Sequence, residues 1–292
     1  MTKTPSTTKR LMICGGGGQL GQKLIGAARA ANSVDENTRI FTYSRSQLDI
    51  TKPADLRAAF AEAKPDVVYN AAAYTAVDRA ETDAEKAQQV NVEGAGRLAA
   101  ICHDRGAQFV HFSTDYVYAD GYNRPLREDD ATLGTSVYAR TKLAGENEVM
   151  RQHPEAYVIR TSWVYAEYGH NFVRTMLRLG QERDSLSIVA DQIGSPTYAA
   201  DLAAAAIRLA ASAAPGGVYN FSNSGVASWY DLAYAVFEHK GIDCQLKPIA
   251  TAAYPTPAKR PSYSVMDTGK IAQYVGTPRN WRAALLECLG KL

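Results

Sequence analysis

The chain has 292 residues, enough to bury a substantial core as one large domain or two closely packed ones. Its 32 Lys and Arg against 30 Asp and Glu leave a formal charge of +2, which gives no electrostatic case for nucleic acid or an anionic membrane as partner. No run approaches the roughly 20 apolar residues that cross a bilayer. Residues 1–9 are polar and Thr-rich and lack an apolar signal-peptide core, so they read as a disordered tail on a cytoplasmic protein. The four cysteines (Cys14, Cys102, Cys244, Cys288) form no CxxC pair and the five histidines show no ligand spacing, so neither a disulfide framework nor a metal site is expected. Cys14 sits in an apolar run and Cys102 in a helical one, and both read as buried thiols.

The first half alternates short apolar runs with amphipathic stretches. Residues 11–14 read as a buried strand, followed by glycines and a helix to about residue 31, then a second strand over 39–43. A short helix follows at Pro53–Ala63, with Thr51 as candidate N-cap and Pro53 in the first turn. A strand over 66–70, a long helix over 84–105, a strand over 108–112, a helix over 136–150 and a strand over 157–160 continue the rhythm. This βαβα order predicts an α/β protein with a doubly wound parallel sheet of Rossmann type. Beyond residue 165 the rhythm loosens into helical stretches near 171–182, 199–213, 228–240 and 282–289. Pro255, Pro257 and Pro261 mark an irregular segment between them. A smaller C-terminal α/β lobe that gives the pocket its far wall fits this pattern.

Gly15-Gly16-Gly17-Gly18-Gln19-Leu20-Gly21 follows a strand and opens a helix. It satisfies both GxGxxG and GxxGxxG, so spacing does not choose between them. In that setting glycines permit a tight turn and close backbone approach, and the helix N-terminus faces a dinucleotide pyrophosphate. The second strand ends at Tyr43-Ser44-Arg45, where NAD enzymes usually carry an acid for the ribose 2′-hydroxyl. An arginine suits a 2′-phosphate instead, so NADPH is the expected cofactor, with NADH open; the alternative for Arg45 is a solvated surface charge. Asp49 follows and is placed nearer the adenine than the ribose. Small residues at Ala71, Ala72 and Ala73, after the third strand, let a cofactor lie against the backbone.

Tyr138 and Lys142 are four apart on a helix and therefore share a face. A phenol beside an ammonium is a proton donor whose acidity the positive charge raises, and a hydroxyl from Thr114 completes a three-group site for moving a proton to or from a carbonyl oxygen.

Five segments then occur in one order: NAAAYTAVDRAE (70–81), STDYVY (113–118), YARTKLAGE (138–146), RTSWVY (160–165) and DQIGSPT (191–197). Together they resemble the extended short-chain dehydrogenase/reductases, in the branch that reduces nucleotide-linked 4-keto sugars, and the resemblance covers the chain from about Arg10 onward. It implies Thr114, Tyr138 and Lys142 as the catalytic three, with Tyr138 the general acid, Lys142 holding the nicotinamide ribose and Thr114 donating to the carbonyl oxygen. It further implies Gly15, Gly18, Gln19 and Leu20 at the pyrophosphate and Asp49, Ile50 and Ala71–Ala73 along the cofactor groove. Thr75, Val77, Asp115, Tyr116 and Trp163 would face the sugar nucleotide, and Asn91 would support the site. Trp163 as a core aromatic, Asn91 as a buried satisfied amide, Asp191-Gln192 as a structural turn and Arg260 as a loop cap rather than a phosphate ligand are the plainer readings. The implied division is an NAD(P)-binding Rossmann domain over 9–167, to which 196–221 returns, with 168–195 and 222–292 forming mainly the substrate lobe. A homodimer stays open as an expectation.

Two positions depart from the family pattern. Ala139 replaces the usual glycine after the tyrosine, and Tyr118-Ala119-Asp120-Gly121 is one residue longer than the common FDG. Both bear on which sugar is bound more than on the reaction. The competing expectations are a reductase of another 4-keto hexose and a non-catalytic NADP-binding regulatory subunit; Thr114, Tyr138 and Lys142 present together argue against the second.

Overall fold

Strand β1 (Lys9–Cys14) shows how this sequence builds two layers of helices around one sheet. Its side chains alternate: Leu11 and Ile13 enter one core with Leu24 and Ala28, while Met12 and Cys14 enter another with Leu56 and Leu98. A strand buried on both faces in this way belongs inside a parallel sheet. The computed structural model describes residues 8–32 and 37–292, so the first seven residues of the expected tail lie outside it.

After β1 come α1 (Gln19–Asn32), β2 (Thr38–Tyr43), α2 (Pro53–Ala63), β3 (Val67–Asn70), α3 (Val77–Ala80), α4 (Ala84–Gln88), α5 (Ala95–Asp104) and β4 (Gln108–Thr114). The chain continues through α6 (Val137–Gln152), β5 (Tyr157–Thr161), β6 (Val164–Tyr165), α7 (Phe172–Glu182), β7 (Ser185–Val189), β8 (Ile193–Gly194), β9 (Thr197–Tyr198) and α8 (Ala199–Ala211). It ends with β10 (Gly217–Asn220), β11 (Ala227–Ser228), α9 (Trp229–Lys240), β12 (Gln245–Ile249), α10 (Gly269–Val275) and α11 (Trp281–Leu289). Six strands form the central sheet in the order β10-β5-β4-β3-β1-β2, every neighbouring pair parallel. The order reverses between β1 and β3, and the carboxyl ends of strands at such a reversal are where open α/β sheets bind ligands. A third core gathers α7, α9 and α11. The two-stranded pairs β12–β7 and β11–β8 lie beyond the main sheet.

Two expectations are corrected. Thr51 does not cap α2: Lys52 holds the N-cap position without a capping side chain, because the Thr51 hydroxyl is spent on Asp49 Oδ1 at 2.7 Å. The single helix expected over 84–105 is interrupted by a π turn over Gln89–Gly94 between α4 and α5. All four cysteines are free and buried, Cys14 and Cys102 among them.

Helix α6 is locked to β5 by a buried ion pair. Arg160 Nη2 donates to Glu146 Oε2 at 2.7 Å and Arg160 Nη1 to the Glu128 carbonyl at 3.1 Å, with the guanidinium 4.7 Å over the Tyr118 ring. Both side chains are about 95% or more buried, at 5% and 3% exposure, so removing one partner strands the other's charge. Glu146→Ala is expected to cost on the order of 3–5 kcal/mol in a urea unfolding curve, whereas the apolar double replacement Arg160→Met with Glu146→Leu recovers most of that loss.

Candidate active site

Two adjoining clefts, of about 390 and 410 Å³, open at the β1/β3 reversal and share Gly18, Ala71, Ala73 and Thr75. The glycine loop forms their floor. Gly15 has φ +80°, and a Cβ there would stand 2.7 Å from the Ala71 and Ala72 backbone; at Gly21 it would run into the Gly15 carbonyl. Gly16 meets nothing nearer than 3.5 Å. The close approaches therefore fall on the GxxGxxG register, which settles what spacing left open. Helix α1 starts at Gln19, so its first-turn N–H groups have no intrahelical partners and face the clefts, a donor set that suits a phosphate. The Gln19 side chain is engaged elsewhere, donating to the Val164 carbonyl at 3.3 Å and accepting from Asn171 at the same distance.

The second cleft is lined by Leu48, Ile50, Ala71, Ala72, Ala73 and Val90, flat apolar walls that fit a heteroaromatic base, with exposed Arg45 at its rim. Asp49 lines it too, but its Oδ1 accepts from the Thr51 N–H and hydroxyl. Burial pushes this carboxyl up; the Thr51 bonds, with Lys52 and Arg45, outweigh it and hold it below its usual range.

The first cleft gathers Gly18, Gln19, Leu20, Thr75, Val77, Thr114, Asp115, Tyr116, Tyr138, Lys142 and Trp163, every residue expected at the catalytic and sugar end. Ser136 caps α6 by accepting from the Ala139 N–H at 3.2 Å, which aims the first turn of the helix, and Tyr138 with it, into the cleft. Tyr116 packs edge-on against Tyr138, ring centroids 5.6 Å apart. Thr114 donates to Asp115 Oδ1 at 3.0 Å. Lys142 Nζ donates to the Phe112 carbonyl at 2.7 Å and lies 3.5 Å from His111 Nε2.

The electrostatics differ from expectation at one point. Burial raises the Tyr138 phenol to about 12; the nearby Thr114 hydroxyl pulls it down and Asp115 pushes it up. The ammonium does not make this phenol more acidic, because Lys142 points its charge at Phe112 and is itself brought down to about 8 by burial, against the upward pull of Glu146. At neutral pH the phenol therefore carries its proton, the form a proton donor needs. His111, fully buried, is held well below its usual value by burial and then by Lys142.

Asn91 sits in the π turn and is buried. Its amide accepts from the Tyr74 N–H at 2.9 Å and donates to the Tyr74 carbonyl and to Thr141 Oγ1, so the plainer reading, a satisfied amide, describes its bonds. Arg260 pairs in bidentate fashion with Asp78 at 2.9 and 2.7 Å, 182 residues apart. Asp120, in the lengthened turn, pairs with Lys259. Sequence reasoning missed His111 and Asn70 beneath Lys142, and Trp229, which stacks on Trp163 and lines the cleft. Trp229 does follow Ser228, the N-cap of α9, a placement that marks a ring at a helix mouth. Among the described residues no group of three or more His, Cys, Asp or Glu side chains is gathered to hold a metal, and no helix is long and apolar enough to cross a membrane.

A glycine-floored dinucleotide cleft joined to a Thr, Tyr and Lys cleft defines an NAD(P)-dependent oxidoreductase of the extended short-chain dehydrogenase/reductase class. The family model described as the RmlD substrate binding domain matches residues 9–292. The chain is 42% identical to the dTDP-4-dehydrorhamnose reductase of Mycobacterium tuberculosis, over 97% of this chain and 93% of that one. It is 38% identical to the spore coat polysaccharide biosynthesis protein SpsK of Bacillus subtilis, over 96% of each. The solved dTDP-4-dehydrorhamnose reductase of Bacillus anthracis in complex with NADP superposes with a TM-score of 0.91 at 34% identity, covering 98% of this chain and all of that one. The chain belongs to the dTDP-4-dehydrorhamnose reductase family.

Asp115 generates a pH prediction. Burial raises its carboxyl from an ordinary 3.8 to about 6, against the downward pull of the Ser264 and Thr114 hydroxyls. The folded state thus binds more protons than the unfolded one between those values, and stability falls as pH rises through that window. Asp115→Asn is expected to flatten the dependence and to gain roughly 1–3 kcal/mol at neutral pH, read from urea midpoints across the range.

Proposed function

We propose that this protein reduces the 4-keto group of dTDP-4-dehydro-L-rhamnose to dTDP-L-rhamnose with NADPH, the last step of dTDP-rhamnose biosynthesis, in the cytoplasm. The observation that carries this reading is the convergence of Thr114, Tyr138 and Lys142 in the cleft that shares its floor with the glycine loop, in a chain that resembles such reductases along its whole length. The substrate is a nucleotide sugar. Its keto end lies in the first cleft, and 168–195 with 222–292 supply the far wall, while 9–167 with 196–221 hold the dinucleotide.

A nicotinamide dinucleotide bound across the glycine loop supplies the hydride. Gly15, Gly18, Gln19 and Leu20 present backbone to its pyrophosphate, and Ile50, Asp49 and Ala71–Ala73 line its adenosine end. Arg45, exposed at the rim of that cleft, is placed to pair with a 2′-phosphate, so NADPH is preferred and NADH used less well. Thr114 donates to the substrate carbonyl oxygen. Tyr138 gives its proton to that oxygen as charge develops on it, and the phenol, raised to about 12, is neutral and fully protonated at neutral pH. Lys142 orients the cofactor ribose. Thr75, Val77, Asp115, Tyr116 and Trp163 position the sugar nucleotide.

The second reading, a reductase of another nucleotide-linked 4-keto-6-deoxyhexose, is favoured by Ala139 and by the Asp120–Lys259 pair in the lengthened turn. Ala139 adjoins Tyr138 and the ion pair holds the lengthened turn, and both leave the proton donor in place.

The decisive assay follows NADPH oxidation on adding dTDP-4-dehydro-L-rhamnose and identifies the product sugar; tight NADPH binding without turnover would instead mark a regulatory subunit. Tyr138→Phe is expected to lose about 10²–10⁴-fold in kcat while binding NADPH normally, and undiminished turnover would remove Tyr138 from its role. Arg45→Ala should raise the KM for NADPH about tenfold and change that for NADH by less than about twofold, since the charge-assisted phosphate contact is the main interaction removed.

A further inference from the structure

Trp229 is held with unusual completeness for a ring at the edge of a cleft. It lies parallel to Trp163, centroids 3.7 Å apart and planes 8° from each other, and Phe172 packs on it at 4.8 Å. Its indole N–H donates to Gln192 Oε1 at 3.0 Å. Gln192, buried, donates on to Thr251 Oγ1 at 3.1 Å, and Thr251 gives its hydroxyl and its N–H to Asp191. The Asp191-Gln192 segment thus has a definite task, which is to fix one edge of this ring.

Trp163 is built in at a cost. Its backbone sits at φ +48°, a conformation that bulky residues rarely adopt and that tends to persist where function requires it. Gly194 must lack a side chain to admit the ring, since a Cβ there would stand 2.8 Å from Trp163 Cε2. Strain, a required glycine and a four-residue hydrogen-bond chain all serve one pair of stacked rings, and both rings line the cleft that holds Thr114, Tyr138 and Lys142.

We infer that Trp229 is a positioning residue for the sugar ring of the substrate, backing Trp163 to make a rigid apolar wall against which the C–H face of the hexose packs. The inference rests on the substrate reading above. The keto carbon must lie beside Tyr138 and Thr114, so it is the hexose, not the nucleotide, that reaches this wall. The one polar atom of the Trp229 ring is committed to Gln192, so the ring presents only carbon and π surface. Backed by this ring, the face of Trp163 is held rigid and favours the apolar face of a deoxysugar.

The test compares binding of dTDP-L-rhamnose and of dTDP alone to the full-length protein saturated with NADP, by titration calorimetry. Trp229→Ala is expected to weaken dTDP-L-rhamnose about tenfold while dTDP stays within about twofold, and Trp229→Phe to keep most of the sugar affinity. Gln192→Leu leaves the ring but frees its edge, and should weaken the sugar complex about threefold without touching dTDP. Equal loss for both ligands, or none for either, in Trp229→Ala overturns the inference. Should that variant fail to fold by near-ultraviolet circular dichroism, Gln192→Leu decides in the same way. A wild-type protein that binds dTDP-L-rhamnose no better than dTDP would overturn the substrate reading itself, which keeps the two failures apart.

Discussion

Everything at the site depends on how closely α6 can approach the π turn that follows α4. Gly145 allows it: a Cβ there would collide with the Asn91 carbonyl. With the backbones in contact, the Asn91 amide reaches both the Tyr74 peptide and the Thr141 hydroxyl. Thr141 adjoins Lys142, and Tyr74 continues the alanine run of the cofactor groove. One buried amide therefore ties the groove to the helix that carries Tyr138. The extra residue of the π turn turns the Asn91 side chain onto this seam, a role such turns often have at functional sites.

Burial, more than charge pairing, sets the protonation states. The phenol of Tyr138 is kept neutral, Lys142 is eased toward the neutral amine and His111 is kept uncharged, each chiefly by removal from water. Asn70 strengthens this at His111. Its Oδ1 accepts from the Ala72 N–H, so its amide nitrogen is the group that meets His111 Nδ1 at 3.1 Å. The imidazole then carries its hydrogen on Nε2, facing Lys142. The proposed transfer of a proton to an emerging alkoxide is served by this dryness, since a phenol already ionised has nothing to give.

Legibility followed locality. The strand alternation of 11–14, the glycine loop, the four-residue spacing of Tyr138 and Lys142 and the helices over 171–182 and 228–240 are written in neighbouring residues, and each is found where the pattern put it. The π turn was invisible because one inserted residue leaves the apolar periodicity of 84–105 almost unchanged. Thr51 has the chemistry of a cap, but its hydroxyl is taken by Asp49, two residues away, and the cap position falls on Lys52. The acidity of Tyr138 was misjudged for a different reason: the spacing of Tyr138 and Lys142 says that they share a face, not which way the ammonium points once Phe112 offers a carbonyl.

The two ends of the cleft differ in the same respect, and this bears on what can be known from sequence about such enzymes. The dinucleotide end is made by single strand-to-helix turns whose residues are contiguous. Trp163 and Trp229, far apart in the chain, line the catalytic cleft, and Asp78 with Arg260, Asp120 with Lys259 and Gln192 with Thr251 tie other distant segments together. The glycine loop and the Tyr138–Lys142 pair are each local in sequence, so each can be read from a motif. Where distant segments meet, no motif records the contact: the Trp163–Trp229 stack and the Asp120–Lys259 pair join residues whose separation in sequence carries no period.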